Sequence, residues 1–119
     1  MDKRFFEIDA RKLISLLDDA LNDIKHPGIR TQLIKLHEQT NKILEHLNNH
    51  EYTRICDGKL LELFNKTRQF DKIVQDLEFK VIPSLLTRTL EPVEIVHLER
   101  ILTTYHSLIQ EILNKMNYS

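Results

Sequence analysis

In four successive stretches of this chain the apolar residues recur in alternating steps of four and three, the spacing that lays side chains along one face of an α-helix. The first stripe is Phe6, Ala10, Leu13, Leu17, Ala20 and Ile24, and the second is Ile29, Leu33, Leu36, Thr40, Ile43 and Leu47. The third runs through Cys56, Leu60, Leu63, Thr67, Phe70, Val74, Leu77 and Val81, and the fourth through Ile95, Leu98, Leu102, Tyr105, Ile109, Ile112 and Met116. Of these 27 positions 25 are apolar, against about 11 expected by chance at an overall hydrophobic content of 41%. Only two Gly and three Pro leave few places for sharp turns, which disfavours a many-stranded β-fold. Ridges of this spacing pack at about 20°, and short links turn neighbours antiparallel. The sequence therefore predicts an all-α, antiparallel up-down four-helix bundle in one domain spanning residues 1–119, with helices near 4–25, 29–48, 51–82 and 92–117.

The punctuation between the stripes agrees. Pro27 suits a first helical turn, where its missing N–H is not needed, and Gly28 stands where the chain reverses. Asn48 followed by Glu51 has the form of a capping box, which puts the third helix near His50, with Asp57-Gly58 either inside it or marking a later start. Pro83 lacks the N–H that would continue that helix. Pro92, with Glu91, Glu94 and Glu99, fits the positive end of the last helix. The faces opposite the stripes carry acid-to-base pairs four residues apart: Glu7 with Arg11, Glu38 with Lys42, Glu62 with Lys66, Asp76 with Lys80 and Glu111 with Lys115. At about 0.2 to 0.5 kcal/mol each, they mark the wet faces more than they stabilise them.

Composition narrows the function. With 17 Lys and Arg against 18 Asp and Glu there is no basic excess for a phosphate backbone, so nucleic acid is not an expected partner. No apolar run nears the roughly 20 residues that span a bilayer, so no membrane partner is expected either. One cysteine rules out an internal disulfide, and the opening MDKRFFEIDARK is too charged for a secretory signal, which points to a cytoplasmic protein.

Catalytic and metal constellations are incomplete. Glu94 and His97 form a Glu-x-x-His unit of the kind that di-iron bundles use in pairs, but it is a single unit beside the stripe. His46 and His50 share a helix face without a third ligand and suit a helix C-terminus equally well. A histidine phosphotransfer module would place a Lys-Gly pair shortly after its histidine, whereas His37 is followed by EQTNK, His97 by LERIL and His106 by SLIQE. Cys56 lies on a stripe, as a small buried hydrophobe would. No nucleophile elbow or phosphate-cradling glycine loop occurs, so the expectation is a non-enzyme without cofactor or metal. Thr40 and Thr67 interrupt stripes, and a hydroxyl bonded to the carbonyl one turn back satisfies each.

Two features point to a protein partner. Asp18, Asp19 and Asp23 crowd the C-terminal half of the first helix, the wrong end of its dipole for acids. Leu85, Leu86 and Leu90, in IPSLLTRTL, are apolar for a connection between helices and either cap the bundle or meet another protein. These six residues are the expected contacts. Val96, Ile101, Leu108 and Leu113 broaden the last apolar arc, which suggests a homodimer face.

In size, helical layout and the Asn, His and Lys-rich character of HEQTNKILEHLNNHEY and NKMNYS, the whole chain resembles small all-helical effectors of intracellular bacterial pathogens, encoded beside the ubiquitin-deamidating and ubiquitin-transglutaminating enzymes that they inhibit. The resemblance implies an inhibitor that occludes a partner enzyme in bacterial or host cytoplasm, with no cofactor. Bacteriocin immunity proteins share the four-helix plan and give the alternative within the binding class, and histidine phosphotransfer gives the alternative outside it.

Overall fold

The computed structural model describes the backbone of residues 3–48, 57–87 and 89–117, and the side chains of 6–48, 66, 68–87 and 89–115. All regular structure among these residues is helical. Helix α1 is Lys3–Asp23, α2 is Pro27–Asn48 and α3 is Asp57–Asp76. A π-helical turn, Leu77–Val81, joins α3 to the short α4, Ile82–Thr87, and α5 is Pro92–Asn117. No helix among the described residues is long and apolar enough to cross a membrane.

The stripes of α1 and α2 form the core over their full length: every position from Phe6 to Ile24 and from Ile29 to Leu47 named above is buried. Thr40, the polar member, donates its hydroxyl to the Leu36 carbonyl at 2.7 Å, as its place one turn on predicts. In the third stripe Phe70, Val74, Leu77 and Val81 are buried, while Cys56, Leu60, Leu63 and Thr67 lie outside the described side chains. In α5 the core positions are Leu98, Leu102, Tyr105, Ile109, Ile112 and also Leu113, which is therefore not on an outer face; Ile95 is only half-buried near the helix start, and Met116 lies outside the described side chains. The link between α1 and α2 is tied down by Arg30, which donates to the carbonyls of Leu21 and Ile24, and by His26, whose Nδ1 accepts the Ile29 N–H at 3.3 Å. The latter satisfies one of the free amides of the first turn of α2.

Pro83 does not end the third helix where the sequence predicts. The chain widens into a π turn just before it, with the Ile82 N–H reaching the Leu77 carbonyl five residues back, and stays helical to Thr87. Proline normally breaks a helix because it lacks a donor and its ring strikes the carbonyl four residues earlier. A wider turn absorbs that conflict by inserting one residue. Hydroxyls of the new turn meet acceptors here, Ser84 at the Lys80 carbonyl (2.8 Å) and Thr87 at the Pro83 carbonyl (2.6 Å). The insertion also shifts the inward positions by one, so that Val81 and Ile82 are both buried.

Side-chain pairs define which helices adjoin. Asp18 meets His37 between α1 and α2. Gln39 reaches His106 and Gln110 between α2 and α5. Lys66 meets Glu111, and Asp76 meets Tyr105, between α3 and α5. Between α1 and α3 the Phe6 and Phe70 rings pack edge to face at 5.3 Å, and about two turns further on Lys12 meets Glu78 of the π turn at 2.9 Å. Thus α2 and α3 each lie between α1 and α5. At the start of α2 the backbone of Gly28 comes so near α5 that a side chain there would press on the Glu99 carboxylate.

Candidate functional site

The six residues expected as contacts lie on α1, on α4 and in the link before α5, and α1 and α4 adjoin. They are not equivalent. Leu85 and Leu90 are half-buried against the core. Both Leu85 and Leu86 sit on helix α4 rather than in a loop, and Leu86 is 44% exposed. Asp18 is engaged at 2.8 Å by Nε2 of His37, whose Nδ1 accepts from the Asn41 amide at 3.3 Å. With Nδ1 accepting, the proton of the neutral ring sits on Nε2 and points at Asp18. Asp19 and Asp23 are exposed.

A second surface lies along the seam of α3 and α5, where the helices part into two open concavities that meet at Asp76 and Lys80. One, of about 430 Å³, is lined by Val81, Ser84, Val93, Glu94, His97, Leu98 and Ile101 beside the shared pair. The other, of about 540 Å³, is lined by Gln69, Lys72, Ile73, Gln75, Phe79, Tyr105 and Leu108. Phe79, which lines one concavity, is 70% exposed, and Val93, which lines the other, is 75% exposed. The polar floor is fixed: the Tyr105 hydroxyl donates to Oδ2 of Asp76, and Lys80 approaches the other oxygen at 3.6 Å. Burial, and then the neighbouring carboxylate that accepts its proton, hold the Tyr105 phenol above its ordinary range, so it stays a donor.

The sequence reading passed over Phe79. Its signal was there: an aromatic two residues after Leu77 and two before Val81 falls off the stripe, on the face that should be polar. Val93 is off-stripe in the same way, two residues before Ile95.

A third cluster joins α1 to α3. Asp9 stands beside Asp71, and its pKa is raised to about 6 by burial first, then by the charge of Asp71 and a hydrogen bond with it, with Lys12 opposing. Lys12 itself is drawn to Glu78.

Other candidate groups are dispersed. Glu94 and His97 line one concavity, but among the described residues no group of three or more His, Cys, Asp or Glu is placed to hold a metal ion. His50 and Cys56 lie outside the described residues. No protein-family model, curated protein or solved structure matches the chain. Its surface is therefore the guide to what it does.

Proposed function

We propose that the chain is a non-enzymatic, protein-binding four-helix bundle that docks through the α3–α5 surface and acts as an inhibitor of a partner enzyme, in bacterial cytoplasm or, if translocated, in that of a host. The observation that carries this reading is the exposed Phe79 in one of two adjoining concavities, with the exposed Val93 in the other. An aromatic anchor next to sites that accept a partner's side chains is the anatomy of an energetic hot spot. Asp19 and Asp23 on α1 and Leu86 on α4 extend the contact. An up-down-up-down course suits such a role. Pairs in which both residue numbers rise (Phe6 with Phe70, Lys12 with Glu78) support parallel α1 and α3, and pairs in which one rises as the other falls (Lys66 with Glu111, Asp76 with Tyr105) support antiparallel α3 and α5. A rigid scaffold then carries the docking face.

The test places a photo-reactive amino acid at position 79 or at Ile34, exposed on α2 across the bundle, in the native cell. The expected result is capture of an enzyme from position 79 and not from 34, with that enzyme's turnover suppressed by the wild-type chain and not by Phe79→Asp. Equal capture from both positions, or turnover indifferent to the chain, overturns the reading.

Histidine phosphotransfer is the second reading, favoured by one observation: His97 is exposed in the same concavity as the cationic Lys80. Asp76 and Glu94 line that concavity too and repel a phosphoryl group. Intact mass after incubation with acetyl phosphate decides: an added phosphoryl group lost in His97→Gln moves this reading to first place, and an unchanged mass removes it.

A further inference from the structure

The two concavities between α3 and α5 are one groove with a polarity. Lys72 stands toward one end, with Gln69, Gln75 and Leu108. Glu94 stands toward the other, with Ser84, His97 and Val93. Apolar walls supplied by Ile73, Val81, Leu98, Ile101 and Phe79 run between them. From Lys72 to Ser84 the groove follows twelve residues of helix, about 18 Å, which matches three turns of a second helix. Seams between antiparallel helices with apolar walls take amphipathic helices by the i, i+3, i+4, i+7 edge, and in this one Asp76 and Lys80 form a paired polar floor at mid-length.

We propose that the occupant of this groove is an amphipathic helix of the partner protein, acidic in its first turn and basic in its last, lying with its N-terminus over Lys72 and its C-terminus over Glu94. The inference rests on the docking reading above and adds the occupant's shape, charge order and direction. Charge complementarity fixes the order: acids meet Lys72, bases meet Glu94. That order is also the one a helix favours internally, since acids suit the positive N-terminal end of its dipole and bases the negative C-terminal end. A helix so charged therefore runs in the direction of α3 and against α5. In the reverse direction it sets its acids against Glu94 and its bases against Lys72, so the groove discriminates direction by repulsion as well as attraction. Phe79 provides the anchor about which the helix seats.

Two 14-residue probes, each locked helical by a side-chain staple, carry Leu at the same four edge positions. One has Glu in the first turn and Lys in the last, and the other has these interchanged. Titration into the full chain, followed by NMR chemical shifts, should show the first bound about fivefold more tightly than the second, with shifts confined to the α3–α5 seam. Lys72→Glu should abolish the preference, and Lys72→Glu with Glu94→Lys should invert it, melting curves serving to confirm that each variant is folded. Binding of neither probe, equal binding of both, or binding unaltered by Phe79→Asp overturns the proposal. So does a dimer in sedimentation that Phe79→Asp dissolves, because the occupant is then a second copy of the chain. Partner cross-linking at position 79 without probe preference sinks the helix inference alone, while loss of that cross-link sinks the docking reading beneath it.

Discussion

Helices α2 and α3 occupy equivalent places, each wedged between α1 and α5, yet they are held differently. Along α2 the inward positions from Ile29 to Leu47 form an unbroken buried row, and the polar groups in it are Thr40, bonded within the helix, and Gln39, bonded to α5. Along the described part of α3 and the π turn after it the apolar row is accompanied by ionisable groups toward both α1 and α5, whereas the His37 pair with Asp18 flanks α2 toward α1. Asp71 and Glu78 face α1, while Lys66 and Asp76 face α5. Burial of a leucine is insensitive to pH and salt and contributes about 1.5 to 3 kcal/mol, whereas a half-exposed ion pair contributes about 1 or less and depends on both. So the α2 side acts as the fixed half of the bundle, and the α3 side, where the packing also opens into a groove, is the adjustable and accessible half. The partners of the two shifted groups, Asp71 for Asp9 and Asp76 for Tyr105, both lie on α3, and Phe79 follows in the π turn, because pairing and docking alike require incomplete burial.

The sharpest way to break this comparison is a pair of truncations. Leu36→Ala, at a fully buried position of α2, should lower the unfolding free energy by about 3 kcal/mol, the transfer and cavity cost of a core leucine. Phe79→Ala, which removes a larger side chain from the α3 side, should change it by less than about 0.5 kcal/mol. Urea titrations of the two variants check this, and a comparable loss in Phe79→Ala would show that the exposed ring is structural.

A smaller effect is expected where α3 meets α5. Tyr105→Phe keeps the ring and removes only the hydroxyl that donates to Asp76, so the cost is that of one partly buried bond to a charged acceptor, about 1.5 kcal/mol. In the wild type, ultraviolet titration should find this phenol ionising above the ordinary tyrosine range.

At the α1–α3 seam the sign is opposite, and it depends on pH. Asp9 has a folded-state pKa raised to about 6 from 3.8, so its contribution to stability is fully present below about pH 4 and is lost as the pH climbs through 6. At neutral pH the charged pair is a penalty. Asp9→Asn, which keeps a donor for Asp71 and cannot ionise, should raise stability by about 1 kcal/mol at pH 7.5, a value reduced for solvent screening, and by nothing measurable at pH 4. Melting temperatures at the two pH values test it; a gain that is equal at both would assign the effect to packing rather than to the proton.

The stripes of α1 and α2 were legible in the sequence residue for residue, because a helix's buried face is written in its local spacing and their link leaves only three residues outside a helix. The order in which the helices adjoin was not. Nothing in the apolar spacing of α3 says that its neighbours are α1 and α5, since any apolar ridge fits any groove of like pitch. Pro83 misled for a related reason: whether a proline ends a helix or is absorbed by a wider turn depends on what holds the next turn, here Ile82 in the core and the hydroxyls of Ser84 and Thr87. As for the surface, the acids at Asp19 and Asp23 were visible as charges in the wrong place, but Asp18 was already committed to a histidine nineteen residues away. The pairing of Asp9 with Asp71 joins residues sixty-two positions apart, and Asp76 with Tyr105 twenty-nine, separations that no local pattern records.

The last prediction tests the α2 side where it looks most like α3. Gln39 is 6% exposed, and its amide nitrogen uses both protons, on the His106 carbonyl at 3.0 Å and on Gln110 Oε1 at 3.1 Å. Its own Oε1 is buried without a partner in the structure. Turning the amide over would not help, because the oxygen would then face two acceptors. The side chain thus combines two neutral hydrogen bonds, each worth about 1 kcal/mol net, with one desolvated acceptor that costs about 1 to 3. Gln39→Met fills nearly the same volume, removes the unsatisfied oxygen, and leaves behind a helical carbonyl and an exposed Gln110, neither of which is stranded. The balance falls slightly toward the variant, a gain of about 0.5 kcal/mol by urea titration. If stability instead falls by 1 kcal/mol or more, a buried water satisfies Oε1 in solution, and the α2 seam carries a polar network as α3 does.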